Sequence, residues 1–424
     1  MKSLKLVHVG DVHFPDAIAE RVADVKDEAF PARIADMMIM RPIQCVMRAL
    51  QAELDSRTDA IVFSGDFTSG GNIPAYSECL EHFGRVLNLA RWDPTRVHAV
   101  PGNHDVDRSQ ISADGSEPFK KFEAFAVAWK RFGVSVLTVE GVRQTEVTDG
   151  NCRTALFSLN SCIGCGEKRY LPKIIADKLE RLMNDYVSDV GPKIGFDLIG
   201  ETLDTPAFRQ EDIESVCSQI KALDPHVLPL VVSHHNLLPQ ALLRIELYTE
   251  LLNAGFVRSR FTRLPRPLLY CHGHIHDTPL EVIQRPANQS ARLVCISAPQ
   301  VSRGFNVIYI DYGSSGYPLG CRVEHFELNL RDCEVASRSS RVPFYGPDYR
   351  LIRRFGHELL PRILANLPDD IRLIDLEQNL SSQHASLSIE VLADALLEAE
   401  WFGFVELVDK DLPAQYWNVR KLVR

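Results

Sequence analysis

The chain has 424 residues, of which 45% are hydrophobic, enough for a large core and for more than one domain. A charged fraction of 24% with 24 glycines and 24 prolines is ordinary for a globular protein and argues against a disordered or fibrous chain. The formal net charge of −9 argues against non-specific nucleic-acid binding, which needs cations to neutralise phosphates, and no apolar run reaches the ~18 residues that cross a bilayer. The opening MKSLKLVHVGDVHF meets Asp11 too early for a secretory leader. Ten cysteines without a framework pattern fit reduced thiols. The sequence therefore predicts a soluble, cytoplasmic protein without membrane contact.

Short apolar strands alternate with helical stretches, the pattern of an α/β sheet. Leu4 to Val9 reads as the first strand, Ile43 to Glu53 as a helix, and Ala60 to Phe63 as the next strand. Leu80, Phe83, Val86 and Leu87 have helical spacing within Ser77 to Leu89. A strand over Val97 to Val100 ends at Pro101-Gly102, and an aromatic-rich helix is predicted over Phe119 to Phe132. Thr154 to Leu159 reads as a strand, Pro172 to Tyr186 and Gln210 to Leu223 as helices. Strands follow over Val227 to Val232, Pro267 to Cys271, Leu293 to Ile296 and Asn306 to Asp311.

Ala336 to Asp348, with three serines, two prolines and a glycine, is the predicted linker between a domain over residues 1–335 and a small one over 349–424. That terminal part reads as helices over Tyr349 to Leu360 and Leu387 to Glu400, then strands over Phe402 to Val408 and Tyr416 to Val423. Helices followed by a hairpin resemble a winged-helix domain, and an α+β appendage without a nucleic-acid role fits the same pattern.

Five strand ends carry metal-ligating residue types: Asp11-Val12-His13, Gly65-Asp66, Gly102-Asn103-His104-Asp105, Ser233-His234-His235, and Gly273-His274-Ile275-His276. In open α/β sheets ligands bind beyond the carboxyl ends of strands, so these motifs are expected on one rim. Asp11 and His13 are two apart, as are His274 and His276; in extended chain each pair faces one side. Gly65, Gly102 and Gly273 precede ligands where a sharp turn is expected. Carboxylate, imidazole and amide donors suit manganese, iron or zinc. Two such ions need a bridging carboxylate, for which Asp66 is the candidate. They would acidify a bridging water and absorb developing charge on phosphate. His104, offset from the ligands, suits a proton donor to the leaving oxygen.

In order and spacing these motifs resemble those of the calcineurin-like metallophosphoesterase superfamily, over roughly residues 1–335. The resemblance implies a β-sandwich flanked by helices. It implies a first metal held by Asp11, His13 and His276, a second held by Asn103, His234 and His274, Asp66 as the bridge, and His104 as the catalytic histidine. Phe67-Thr68-Ser69-Gly70-Gly71 and Val100 to Asp107 are similar to the cyclic-nucleotide phosphodiesterase-like branch. This implies hydrolysis of a cyclic nucleotide or another small phosphodiester through metal-bound hydroxide. A nuclease that holds DNA or RNA with the terminal domain is the enzyme alternative. A regulatory module that keeps the metals and docks a protein partner through that domain is the other.

Of the neighbouring residues, His234 is favoured over His235 as ligand because it lies closer to the strand end. His272 reads as a packed histidine, and Asp105 as either an orienting group or a turn residue. Asp107, Arg108 and Asn160 are placed at the pocket rim, with Arg108 as a phosphate contact or a surface arginine. Cys162-Ile163-Gly164-Cys165 lacks the second pair of a zinc module and reads as packed thiols. Arg350, Arg353 and Arg354 read as a solvated helix face. The long insertion between Asp11 and Asp66, with Arg33, Met37, Met38 and Met40, is expected to shape substrate access.

Overall fold

Along β1 (Lys2–Val9) side chains alternate between two apolar layers, Leu4 and Leu6 in one, Val7 and Val9 in the other. β2 (Thr58–Phe63) repeats this with Ala60 and Val62 against Ile61 and Phe63. A strand apolar on both faces must be covered on both. The computed structural model shows how, for residues 2–19, 42–55, 57–69, 74–88, 92–111, 116–134, 136, 142–166, 174, 178, 181, 205–239, 251–285, 291–329, 334–381 and 387–422.

The first sheet runs β12-β11-β10-β1-β2-β3, with β3 at Val97–Ala99, β10 at Gly304–Tyr312, β11 at Pro318–Asn329 and β12 at Glu334–Pro343. β1, β2 and β3 are parallel; the pairings from β1 through β10 and β11 to β12 are antiparallel. The second sheet runs β4-β5-β6-β7-β9-β8, with β4 at Val142–Asp149, β5 at Cys152–Leu159, β6 at Val227–Val232, β7 at Leu268–His272, β8 at Leu280–Ile283 and β9 at Leu293–Ser297. β5, β6, β7 and β9 are parallel, and β4 and β8 pair antiparallel at the edges. Leu228, Leu230, Val232, Leu269, Cys271, Val294 and Ile296 meet Leu4, Leu6, Ala60 and Val62 between the sheets.

Helices cover both outer faces. α1 (Pro42–Glu53), α2 (Ala75–Val86) and α3 (Glu123–Lys130) bury Val46, Leu80, Phe83 and Trp129 on the first sheet. α4 (Gln210–Ala222) and α5 (Ala254–Phe261) bury Val216, Ile220 and Phe261 on the second. The result is the α/β sandwich that the motifs implied. Among the described residues no helix is long and apolar enough to cross a membrane.

The terminal part holds α6 (Tyr349–Phe355), α7 (Leu360–Asn366), α8 (Leu373–Ser381) and α9 (Ile389–Trp401). They cover an antiparallel sheet of β13 (Asp370–Arg372), β15 (Asn418–Lys421) and β14 (Val405–Val408), in that order. The terminal hairpin is present, with β13 as an added strand. The core of this module is continuous with the inter-sheet core. Tyr317 stacks on Phe355 at 3.9 Å between ring centroids.

The expected linker is not one. Residues 336–343 lie in β12, which pairs with β11 over its full length, and Phe344 and Tyr345 are buried. The segment reads as polar because an edge strand with one wet face tolerates serine and arginine, and Pro343 sits at its end, where no ladder donor is needed. The sandwich therefore extends past residue 335. The predicted helix over Phe119 to Phe132 is a 3-10 turn (Lys120–Phe122) followed by α3. β4, β8 and β13 are further departures from the expected elements: they are exposed or short edge segments without an apolar run. Arg33, Met37, Met38 and Met40 and nearly all of the predicted helix over Pro172 to Tyr186 lie outside the described residues.

Candidate metal centre

The five motifs follow the carboxyl ends of β1, β2, β3, β6 and β7, all parallel strands within their sheets. Backbone hydrogen bonds extend the ladder past the strands and lock the loops together: Asp11 N–H donates to Gly65 O (3.1 Å), His13 N–H to Asp66 O (2.9 Å), and Gly273 N–H to His234 O (3.0 Å). The loops nevertheless turn back sharply. Asp11, His13, Asp66, His274 and His276 have φ of 49°, 46°, 54°, 73° and 55°, in the left-handed region. They are five of the seven described non-glycine residues with positive φ. Such backbone costs on the order of 1–3 kcal/mol per residue and persists where surroundings enforce it, often at functional sites. The two-apart pairs are thus not extended, as expected from spacing alone; they curl, and the ladder holds them.

Two glycines are required for different reasons. Gly65 has φ +106°, and a Cβ there would lie 2.7 Å from His234 Nδ1. Gly102 has φ −97°, so no special backbone is needed. A Cβ on it would lie 1.9 Å from Asp66 Oδ1, so it is the close approach of Asp66 that demands glycine.

The side chains fall into two groups joined at one carboxylate. Asp11, His13, Asp66 and His276 present ligand atoms all within 4.8 Å of one another. His13 Nε2 and His276 Nε2 are 2.9 Å apart, and Asp11 Oδ1 is 3.5 Å from His276 Nε2. On the other side His234 Nε2 is 2.9 Å from Asn103 Oδ1, and the His274 ring lies 5.1 Å from that of His234. Asp66 Oδ2 is 3.8 Å from His13 Nε2 and 3.3 Å from His234 Nε2, so it faces both groups. All seven residues and His104 thus meet at one rim. The His104 ring, half-buried, stands edge-on to His13 at 5.0 Å, and its backbone N–H donates to Asp66 Oδ1 (2.9 Å).

The donor set fits two hard or borderline divalent cations. His234 Nδ1 lies 2.8 Å from Ser64 O, a carbonyl that accepts only a proton-bearing nitrogen, so Nε2 is left to face Asp66 and Asn103. Burial acts to raise Asp66, yet the imidazoles of His234 and His104 hold it well below the usual carboxylate range. Burial acts to lower His234, and Asp66 and Asp11 outweigh it and hold it well above the usual histidine range. Asp11 is lowered too: burial opposes, while its hydrogen bond with His276 prevails. His13 is pushed down, chiefly by burial, which leaves a neutral imidazole.

Asp105 is an orienting group. Its Oδ1 accepts from the N–H of Phe67 (2.9 Å) and Thr68 (3.2 Å), and its Oδ2 from that of Gly102 (2.8 Å). One buried carboxylate therefore ties the Asp66 loop to the Asn103 loop. Burial and nearby Asp66 push it up to about 7. His235 stands between two groups: its Nδ1 lies 2.8 Å from Ser161 Oγ, and its ring also offers a ligand atom within 4.8 Å of those of His234 and His274. His272 is buried, with Nδ1 3.1 Å from Gly273 O, and burial lowers it to about 4. Asn160 is buried, its Oδ1 accepting from Cys162 N–H (2.8 Å). Asp107 caps a 3-10 turn that contains Arg108. Ser64 and Ser161, which orient His234 and His235, gave no signal in the sequence because serine is common at strand ends.

A family model described as calcineurin-like phosphoesterase matches residues 4–278. No curated protein matches the chain. Similar solved structures include a dimetal phosphatase from Danio rerio (16% identity, TM-score 0.45, covering 81% of this chain and 98% of that one). Another is purple acid phosphatase PPD1 from yellow lupin seeds (12%, 0.42, 83% and 55%). A third is phosphopantetheinyl hydrolase from Mycobacterium tuberculosis (13%, 0.35, 70% and 90%).

Proposed function

The chain belongs to the calcineurin-like phosphoesterase family, and from that premise we propose that it hydrolyses small phosphodiesters, cyclic nucleotides among them, at a dimetal centre on this rim. The observation that carries the reading is Asp66, whose one carboxylate oxygen faces His13 on one side and His234 on the other. Asp11, His13 and His276 would hold one cation, Asn103, His234 and His274 the second, and Asp66 both. When bound, two divalent cations supply an acidified water and positive charge for the phosphoryl oxygens.

The chain's own residues do the rest. Asp105 keeps the Asp66 and Asn103 loops at fixed separation. Ser64 O holds the His234 tautomer. His104, beside Asp66 and half-exposed, gives a proton to the departing oxygen. In the metal-free protein His234 keeps its proton against Asp66, so cation entry must displace it, and metal affinity falls as pH falls. The likeness of residues 67–71 and 100–107 to the cyclic-nucleotide phosphodiesterase-like branch supports the diester over the monoester; Gly70 and Gly71 lie outside the described residues.

The test is hydrolysis of bis-p-nitrophenyl phosphate beside p-nitrophenyl phosphate, with chelated protein reloaded with manganese and Asp66→Asn as control. Diester turnover that vanishes in the variant is expected. A preference for the monoester would overturn the substrate reading and keep the phosphoesterase.

A further inference from the structure

Cys162, Cys165 and His235 lie beside the rim, and the reaction leaves them unused. Their ligand atoms lie within 4.8 Å of one another, and all three residues are fully buried. We propose that they form a separate site for a thiophilic divalent cation of the zinc class.

The geometry supports this. A tetrahedral zinc with Zn–S of about 2.3 Å and Zn–N of about 2.1 Å separates sulfur from nitrogen by roughly 3.6 Å. Cys162 Sγ and His235 Nδ1 stand 3.8 Å apart. Ser161 Oγ is hydrogen-bonded to Nδ1 at 2.8 Å and lies 4.0 Å from Cys162 Sγ, so the hydroxyl that an ion would displace from Nδ1 stands beside the site. The two cysteines are three apart in a turn closed by Cys165 N–H donating to Cys162 O (3.0 Å), the spacing from which two thiolates reach one ion.

The turn is pre-built from several sides. Lys121, a buried lysine, donates to Ile163 O (2.5 Å) and Cys165 O (2.9 Å). Thr205 Oγ1 donates to Gly164 O (2.6 Å), and Ala207 N–H to Ser161 O (2.9 Å). Val106 and Phe122 pack on the cysteines and exclude water. His235 Nε2 has no hydrogen-bond partner, although the ring is completely buried. Nδ1 meets Ser161 Oγ and Cys162 Sγ, and a cation on Nδ1 would take their place and fix the ring. Thiolate donors select zinc over manganese, whereas the rim offers two carboxylates, four imidazoles and an amide and no thiolate. The His235 ring packs on that of His274, with centroids 4.4 Å apart, so an ion here would also brace one wall of the rim.

The test uses full-length protein, stripped by chelator, kept under reductant and titrated with cobalt(II). Cobalt on sulfur gives an intense thiolate-to-metal charge-transfer band in the near ultraviolet; cobalt on carboxylates and imidazoles does not. The band is expected in the wild type, with its loss and one metal equivalent fewer per chain in the Cys162→Ser/Cys165→Ser double variant. Zinc should bleach it. Cobalt bound without the band, or a band that survives in the double variant, would overturn the proposal, and the wild-type titration decides even if the variant misfolds. The rim contains no sulfur, so the band is read independently of any phosphoesterase activity.

Discussion

At the rim, five ligand-type residues stand on left-handed backbone, with buried carboxylates and imidazoles a few ångströms apart. In the terminal module, residues 349–422, Asp409 is the only described non-glycine residue of that kind. Its ion pairs include Arg420 between Asp370 and Glu406, and Glu400 with Lys410 and, from β12, Arg341. The rim is held in place against its own strain and like-charge crowding, whereas the module is at ease. A helix that reads DNA must be free to enter a groove. α9 instead buries Leu392, Leu396, Ala399 and Trp401, and its buried Glu398 accepts from Ser314 N–H (2.6 Å) and His357 N–H (2.7 Å). On the proposed function, chemistry sits at the rim and the module supports the fold, and the contrast fits that division.

Substitutions that separate the two roles follow, from the largest effect down. Asp66→Asn removes the charge that both ligand groups face and is expected to cost roughly 10⁴-fold in kcat/KM or more, with metal content reduced; near-normal turnover with two metals bound would remove Asp66 from the bridging position. His104→Ala is expected to lower kcat by about 10²–10⁴-fold with metal content and fold preserved, read by kinetics beside elemental analysis. Trp401→Ala tests the other side. It empties a buried site against Gly320 and Arg341 and is expected to cost about 3–5 kcal/mol of stability, with turnover per folded molecule unchanged. A selective loss of turnover at full stability would mean that the module acts on the rim. Asp105→Asn is milder: it keeps the shape, but its amide nitrogen cannot accept, so at least one of the three N–H groups loses its partner, and a loss of about 10–100-fold in metal affinity is expected.

The rim was legible because its chemistry needs rare residue types at strand ends, and Asp11, His13, Asp66, Asn103, His104, His234, His274 and His276 each stand in a short motif. What sequence could not convey was backbone. The spacing of Asp11 and His13 suggested extended chain, and only the ladder from Gly65 O and Asp66 O shows why they curl. The central strands were legible from apolar runs buried on both faces. β4, with Val147 alone of its residues buried, and β12, largely exposed, were not, because edge strands with wet faces look like loops. The linker failed for that reason: a boundary read from serine and proline cannot distinguish a solvated edge from a tether.

His98 gives a prediction away from both regions, at the seam where the edge strands of the two sheets meet. Its Nδ1 on β3 lies 3.2 Å from Thr145 Oγ1 on β4, and the ring is buried. Burial, with Arg143 nearby, lowers it from 6.5 to about 3. The unfolded chain therefore binds a proton that the folded one refuses. The stability this group contributes is complete above pH 6.5 and is lost as pH falls toward 3, by up to about 1.4 kcal/mol per pH unit. His98→Gln keeps a polar partner for Thr145 and removes the titration. Urea unfolding of metal-free protein between pH 7 and pH 5 should show a shallower acid decline in the variant than in the wild type. Parallel declines would mean that His98 is not what acid attacks, and that the decline in this window arises at the other buried histidines held low, His8 at about 3 and His272 at about 4.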